Sequence, residues 1–283
     1  MSKEPSDTID YYEIGKLKLA CRSILLPEAD KTIVFLHDSL GSISIWRDFP
    51  KKLCRLLNAD AIIYDRQGHG LSCGFSNERR PDYLLDETQI LFELLQAIES
   101  KCGAKTNTGS SDKYILFGHS DGGTIAILTA ALHADRVQAI VTEGAHVFNE
   151  EITLAGIRHA VRLYQSTDLK QRLQKYHGDK TEQLFANWAN TWQSPEFRDF
   201  NIEHFLPSIV CPVLAIQGSL DEYGSAAQLD SIISQVDSQI AKKVLIDGAA
   251  HTPHKERMKE TLQVVAEFVA ACHQMPPIFN PNR

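Results

Sequence analysis

Short apolar runs recur along the first half of the chain. Each is followed by a turn and then by a stretch with helical spacing. Residues 32–36 (TIVFL), 61–64 (AIIY) and 114–117 (YILF) are apolar almost throughout, as strands buried on both faces are. Residues 11–19 alternate around Gly15 and predict the start of an antiparallel hairpin, and residues 124–132 (TIAILTAAL) predict a helix packed close to the preceding strand. Strand and helix alternate in this way through residues 137–141, which predicts an α/β core around a mostly parallel sheet.

From about Phe148 to Phe205 the pattern changes to helices without strands. Ile157, Ala160, Val161 and Tyr164 recur at helical spacing, as do Leu169, Leu173 and Tyr176, and then Leu184, Phe185, Trp188 and Trp192. After Pro207 the strands resume, at 213–216 and 244–246, before a last helix near Cys272. The chain therefore divides into a first core segment (1–147), a helical cap (148–206) and a second core segment (207–283). The polar stretch 100–113 reads as a surface loop. The proline-rich tail at 275–281 reads as extended, free to pack on the core or on a second copy in a homodimer.

Chemistry concentrates at the turns that follow the strands. Gly118-His119-Ser120-Asp121-Gly122 reads G-x-S-x-G between the strand at 114–117 and the helix at 124–132. A serine on so tight a strand-to-helix turn needs small residues on either side. Its hydroxyl then stands at a helix N-terminus, where backbone N–H groups can meet an oxyanion. A serine nucleophile needs a base, and the base needs an orienting acid.

In a fold with this elbow the acid and the histidine come later in the chain. Asp221 follows the strand at 213–216 and His251 follows the strand at 244–246, so both are expected at strand C-terminal ends. Glu222 and Asp247 are rival acids, and the short turn after Gly218 favours Asp221. His254 rivals His251, but after Pro253 it reads as a surface histidine capping the last helix. His119 reads as packed into the sheet. One oxyanion N–H is expected from Asp121. The other is expected from Ser39, in the loop 37–42 that ends the strand at 32–36. Residues 65–72 (DRQGHGLS) read as fold-defining, with Asp65 and Arg66 making structural hydrogen bonds.

These features together resemble the α/β-hydrolase superfamily, from about Tyr11 to Cys272. The resemblance rests on the loop at His37, the run at Asp65, the elbow at Ser120, the turn at Asp221 and the G-x-x-H-x-P-H turn at His251. It implies a capped serine hydrolase, with the cap between the sixth and seventh strands lying over Ser120 and shielding it from water. One position departs from the family pattern: Asp38 stands where many members have glycine. A carboxylate there opposes an oxyanion, so Asp38 is expected to turn away or to bind backbone N–H groups of its own loop.

Composition narrows the remainder. With 283 residues, 43% hydrophobic content and net charge −7, the chain fits one large core or a core with a small insertion, and it lacks a basic stripe for nucleic acid. No apolar run is long enough to span a membrane, and the polar first residues lack a signal-peptide core. The 6 cysteines form no C-x-x-C pair, so reduced thiols in a cytoplasm are expected. No metal or cofactor motif is present, and none is expected.

The large side chains Trp46, Phe148, Tyr164, Phe185, Trp188 and Trp192 are candidates for the substrate pocket, each also able to serve as plain packing. The substrate is expected to be a small ester or lactone with an apolar acyl group. The H-x-S-L-G-S loop, the G-H-S-D-G elbow and the D-E-Y-G turn resemble capped bacterial esterases and soluble N-acyl-homoserine lactone lactonases, enzymes of quorum quenching. A general carboxylesterase and a slow-turnover ligand receptor are the alternatives.

Overall fold

The computed structural model describes residues 6–75, 79–102 and 113–273. In chain order it contains β1 (Ser6–Ile14), β2 (Leu17–Leu25), β3 (Thr32–Leu36), α1 (Phe49–Leu57), β4 (Asp60–Tyr64), α2 (Tyr83–Cys102), β5 (Tyr114–His119), α3 (Asp121–Leu132) and β6 (Val137–Glu143). Then come α4 (Glu151–Ser166), α5 (Leu169–His177), α6 (Thr181–Gln193), β7 (Val213–Gly218), α7 (Ala226–Gln235), β8 (Ala241–Ile246), α8 (Pro253–Glu256) and α9 (Met258–His273).

The strands form an eight-stranded sheet in the order β1-β2-β4-β3-β5-β6-β7-β8. The hairpin β1–β2 turns at Gly15, whose φ of +58° suits glycine. β2 runs antiparallel to β4, and every later pairing is parallel. Every residue of β3, β4 and β5 is buried, because helices cover both faces. Successive side chains go to opposite sides. Val34 and Leu36 join the core shared with α2, α3 and the cap, whereas Ile33 and Phe35 join the core shared with α1 and α9. β3 lies between β4 and β5, so the chain leaves it in opposite directions along the sheet. The C-terminal end of such a strand is where open α/β sheets form a ligand crevice.

α4, α5 and α6 make up the helical stretch between β6 and β7. Its two ends are tied by a bridge between Phe148 and Asn201, with Asn149 N–H donating to Phe200 O at 3.0 Å and Ile202 N–H to Val147 O at 2.7 Å. α2 continues to Cys102, so residues 100–102 of the stretch read as a loop are helical, and the rest of that stretch up to 112 lies outside the described residues. The tail at 275–281 also lies outside them. Among the described residues no helix is long and apolar enough to cross a membrane. Cys21, Cys54, Cys73, Cys211 and Cys272 are free thiols.

The turn from β5 to α3 is built on contact between backbones. A Cβ on Gly118 would stand 2.1 Å from the carbonyl oxygen of Gly122, and a Cβ on Gly122 would stand 2.0 Å from that of Leu36. Backbone cannot yield as a flexible side chain does. Gly122→Ala is therefore expected to destabilise the fold by about 1–3 kcal/mol, the usual cost of overpacking. A melting curve checks this, and an unchanged Tm would contradict it.

Candidate active site

Ser120 sits at the apex of that turn with φ of +55°, a left-handed conformation that is uncommon outside glycine. Its N–H donates to Glu143 O at 2.8 Å, and its carbonyl accepts from Gly123 and Thr124. Asp121 begins α3, so its N–H has no acceptor within the helix. Its side chain is held away from the serine. Tyr83 Oη donates to the buried Asp121 carboxylate at 2.9 Å, with Arg66 Nη1 at 3.5 Å and Arg79 Nη1 at 3.9 Å.

Asp221 and His251 meet across 30 residues. Nδ1 of His251 lies 2.9 Å and 3.0 Å from the two carboxylate oxygens, and Asp221 Oδ1 also accepts Tyr223 N–H at 2.8 Å. A carboxylate accepts only, so Nδ1 carries the proton and Nε2 keeps its lone pair. Burial disfavours the imidazolium, but the charge and hydrogen bond of Asp221, helped by Glu222 and Asp38, outweigh it and raise the His251 pKa. Burial likewise works against the Asp221 charge, and the pairing with His251 overcomes it and lowers that pKa. Asp247 instead faces Ser219 Oγ at 3.4 Å.

Ser120 and His251 border one narrow cavity of about 80 Å³, together with Asp38, Ser39, Leu40, His146, Thr153, Ile157, Trp188, Trp192 and Tyr223. Trp188 and Trp192 of α6 thus reach the site. The other four candidate pocket aromatics lie elsewhere. Trp46 is buried among Phe35, Phe49 and Phe117. Tyr164 stacks on Phe185 at 3.8 Å, which keeps both within the cap, and Phe148 forms its stem.

The loop 37–42 is held from below. Arg66 Nη2 donates to Asp38 O at 2.8 Å, Asp65 Oδ1 accepts Ile43 N–H at 2.6 Å, and Nε2 of His69 lies 3.0 Å from Ser39 O. Nε2 of His177, from α5, donates to Leu40 O at 3.0 Å. His37, His69 and His177 are all buried, and burial pushes their pKa values down.

Asp38 is the position that departs from the family pattern. Its carboxylate fills the space beside Gly41, where a Cβ would come within 2.2 Å of Oδ1. From there Oδ1 faces Nδ1 of His119 at 3.6 Å. Burial alone would raise its pKa. Its polar surroundings, His119 first among them, outweigh burial and hold the carboxyl well below the usual range.

A base works only unprotonated, so kcat/KM rises with pH through the pKa of His251. Asp38 helps to raise that pKa. Asp38→Asn is therefore expected to move the acidic limb of the pH–rate profile to lower pH. A limb that stays in place would show that Asp38 does not act on His251.

His254 is also corrected. It is not a surface cap; it is 1% exposed. Its N–H and Nδ1 both bind the carboxylate of Glu143, a fully buried residue at the end of β6. Its ring packs on Trp46 at 4.7 Å. His119 is packed as expected, with Nε2 donating to His251 O at 2.8 Å. Ligand atoms of His119, Glu143 and His254 lie within 4.8 Å of one another, close enough to hold a metal ion, but hydrogen bonds already engage each of these side chains. Sequence reasoning missed Glu143 and His146. The available signal was a charged residue ending an apolar strand that adjoins the elbow strand.

Residues 33–264 match the model of the alpha/beta hydrolase family. The chain is 25% identical over 253 residues to "Serine hydrolase BPHL" of Homo sapiens, covering 86% of this chain and 80% of that protein. Among solved structures, the 2-hydroxy-6-oxo-6-phenylhexa-2,4-dienoate hydrolase of Rhodococcus sp. strain RHA1 superposes with a TM-score of 0.77 at 13% identity, covering 94% of this chain and 100% of the other. The enol-lactonase of Burkholderia xenovorans LB400 gives 0.70 at 18% identity, covering 92% and 100%. These two structural likenesses establish shared fold.

Proposed function

Because the chain belongs to the alpha/beta hydrolase family, we propose that it is a serine hydrolase in which Ser120 attacks an ester-type carbonyl. The observation that carries this reading is the clamp of Asp221 on Nδ1 of His251, which leaves Nε2 free at the cavity that Ser120 borders. In this reading Nε2 takes the serine proton, and Asp221 stabilises the resulting imidazolium. The N–H groups of Asp121 and Ser39 receive the oxyanion. Losing one such donor costs about 10²–10³ in kcat. The leaving oxygen takes its proton from His251, and water releases the acyl group by the same route.

N-acyl-homoserine lactones remain the first substrates to test. The apolar walls from Ile157, Trp188 and Trp192 suit an acyl group. The cavity volume constrains its length. About 80 Å³ is well below the roughly 300–1,000 Å³ of ordinary ligand pockets. Short acyl groups fit best, and long ones require the cap to move. A general carboxylesterase on small esters is the second reading, favoured by the same small volume. A slow-turnover receptor would bind such ligands without sustained release of product. The five free thiols among the described residues suit a cytoplasmic setting.

The test is mass spectrometry of N-butanoyl- and N-dodecanoyl-homoserine lactone incubated with the protein and with Ser120→Ala. Repeated ring opening that the variant lacks supports the lactonase. Intact lactones alongside cleavage of simple esters leave the carboxylesterase. One turnover without a second supports the receptor.

A further inference from the structure

Besides Ser120 and His251, the polar side chains of the cavity are Asp38, Ser39, His146, Thr153 and Tyr223. The Ser39 and Tyr223 hydroxyls can donate or accept, whereas the other three present lone pairs. Among the described residues, no lysine, arginine, asparagine or glutamine lines the cavity. Asp38 brings a carboxylate, which only accepts. His146 brings a second acceptor. Its Nε2 lies 2.9 Å from Tyr223 O, which must be accepting, so Nε2 holds the proton. Nδ1 is left with a lone pair, is buried, and has no hydrogen-bond partner. Burial, the largest influence, together with the neighbouring charge of His251, pushes the His146 pKa down and keeps the ring neutral. Thr153 Oγ1 gives its proton to the same Tyr223 carbonyl at 2.6 Å, leaving lone pairs only. The His146 ring centre is 6.1 Å from that of His251.

A buried acceptor without a partner penalises the empty site and rewards a ligand that supplies a donor. A carboxylate at the cavity wall works against an anionic ligand. We propose that Asp38 and Nδ1 of His146 set substrate choice: the cavity takes acyl groups that place an N–H or O–H donor beside the scissile carbonyl, and it turns away acyl groups that carry a carboxylate. This inference rests on the hydrolase reading above and adds to it the polarity of the substrate.

Three ethyl esters of nearly one shape test it. Ethyl N-acetylglycinate carries an N–H where ethyl levulinate carries a methylene. Monoethyl succinate carries a carboxylate where levulinate carries a methyl ketone. Relative to levulinate, kcat/KM is expected to be about tenfold higher for the N-acetylglycinate, the worth of one hydrogen bond. For the succinate it is expected to be about tenfold lower or less, the effect of one close like charge.

His146→Phe should remove the N-acetylglycinate advantage and leave the levulinate-to-succinate ratio in place. Asp38→Asn should shrink the latter ratio. Effects on base strength are common to all three esters and cancel in the ratios. The inference is overturned if wild-type protein cleaves succinate as well as levulinate, or if both variants keep the wild-type ratios. If wild-type protein cleaves none of the esters, or Ser120→Ala cleaves them equally well, the hydrolase reading itself fails and this inference falls with it.

Discussion

Replacing Ser120 by alanine is expected to lower kcat on any ester the protein turns over by about 10⁴–10⁶-fold, the range seen when a catalytic serine is removed. KM and Tm should hardly change. The hydroxyl forms its new bond only as the reaction proceeds, so its loss leaves ground-state binding intact. The backbone at Ser120 is held at φ +55° by the contacts of Gly118 and Gly122, which an alanine does not disturb. Steady-state kinetics and a melting curve on one preparation check both halves. A fall of less than about tenfold, too little for a lost nucleophile, would mean that another group carries the chemistry.

The second large effect is expected at Glu143. Its carbonyl oxygen receives the N–H of Ser120, and its carboxylate holds the N–H and ring of His254. One buried residue thereby ties the elbow to the loop that carries His251. Burial opposes its ionisation, but the pairing with His254 outweighs burial and keeps its pKa below the ordinary value. Glu143→Ala leaves two buried donors of His254 unpaired and opens a void. The expected loss is about 3–5 kcal/mol, as for other broken buried pairs.

Glu143→Gln should recover much of that loss. Its amide oxygen can still accept the His254 N–H, and its NH₂ can donate to Nδ1 if the ring changes tautomer. Urea unfolding of the two variants checks the order. Equal stability of the alanine and glutamine variants would refute the account.

The features legible in the sequence are those decided locally. The elbow needs glycines at fixed offsets, and the strand before it is apolar along its length, so Ser120 could be read directly. Asp221 stood out from Glu222 and Asp247 because a short turn leaves few ways for a carboxylate to reach back. His254 was misread because its burial depends on Glu143, a partner 111 residues away that no local pattern announces. The cap aromatics were legible as helical faces but not as pocket walls. Stacking between Tyr164 and Phe185 draws those rings inward, and only a folded cap shows that Trp188 and Trp192 face the serine. Asp38 was legible as a departure, but its direction was set by the space beside Gly41 and by His119.

The buried histidines make unfolding a proton-consuming event. His37, His69, His146, His177 and His254 all have pKa values held below that of a free histidine, chiefly by burial. Once exposed, each titrates near 6.5. As pH falls through that value, the unfolded chain takes up protons that the folded chain refuses, and equilibrium moves toward the unfolded state. His251, whose pKa is raised, pulls the other way, one group against five. The stability these five sites supply is complete above about pH 6.5 and drains away below it, so mild acid weakens the fold as well as protonating the base.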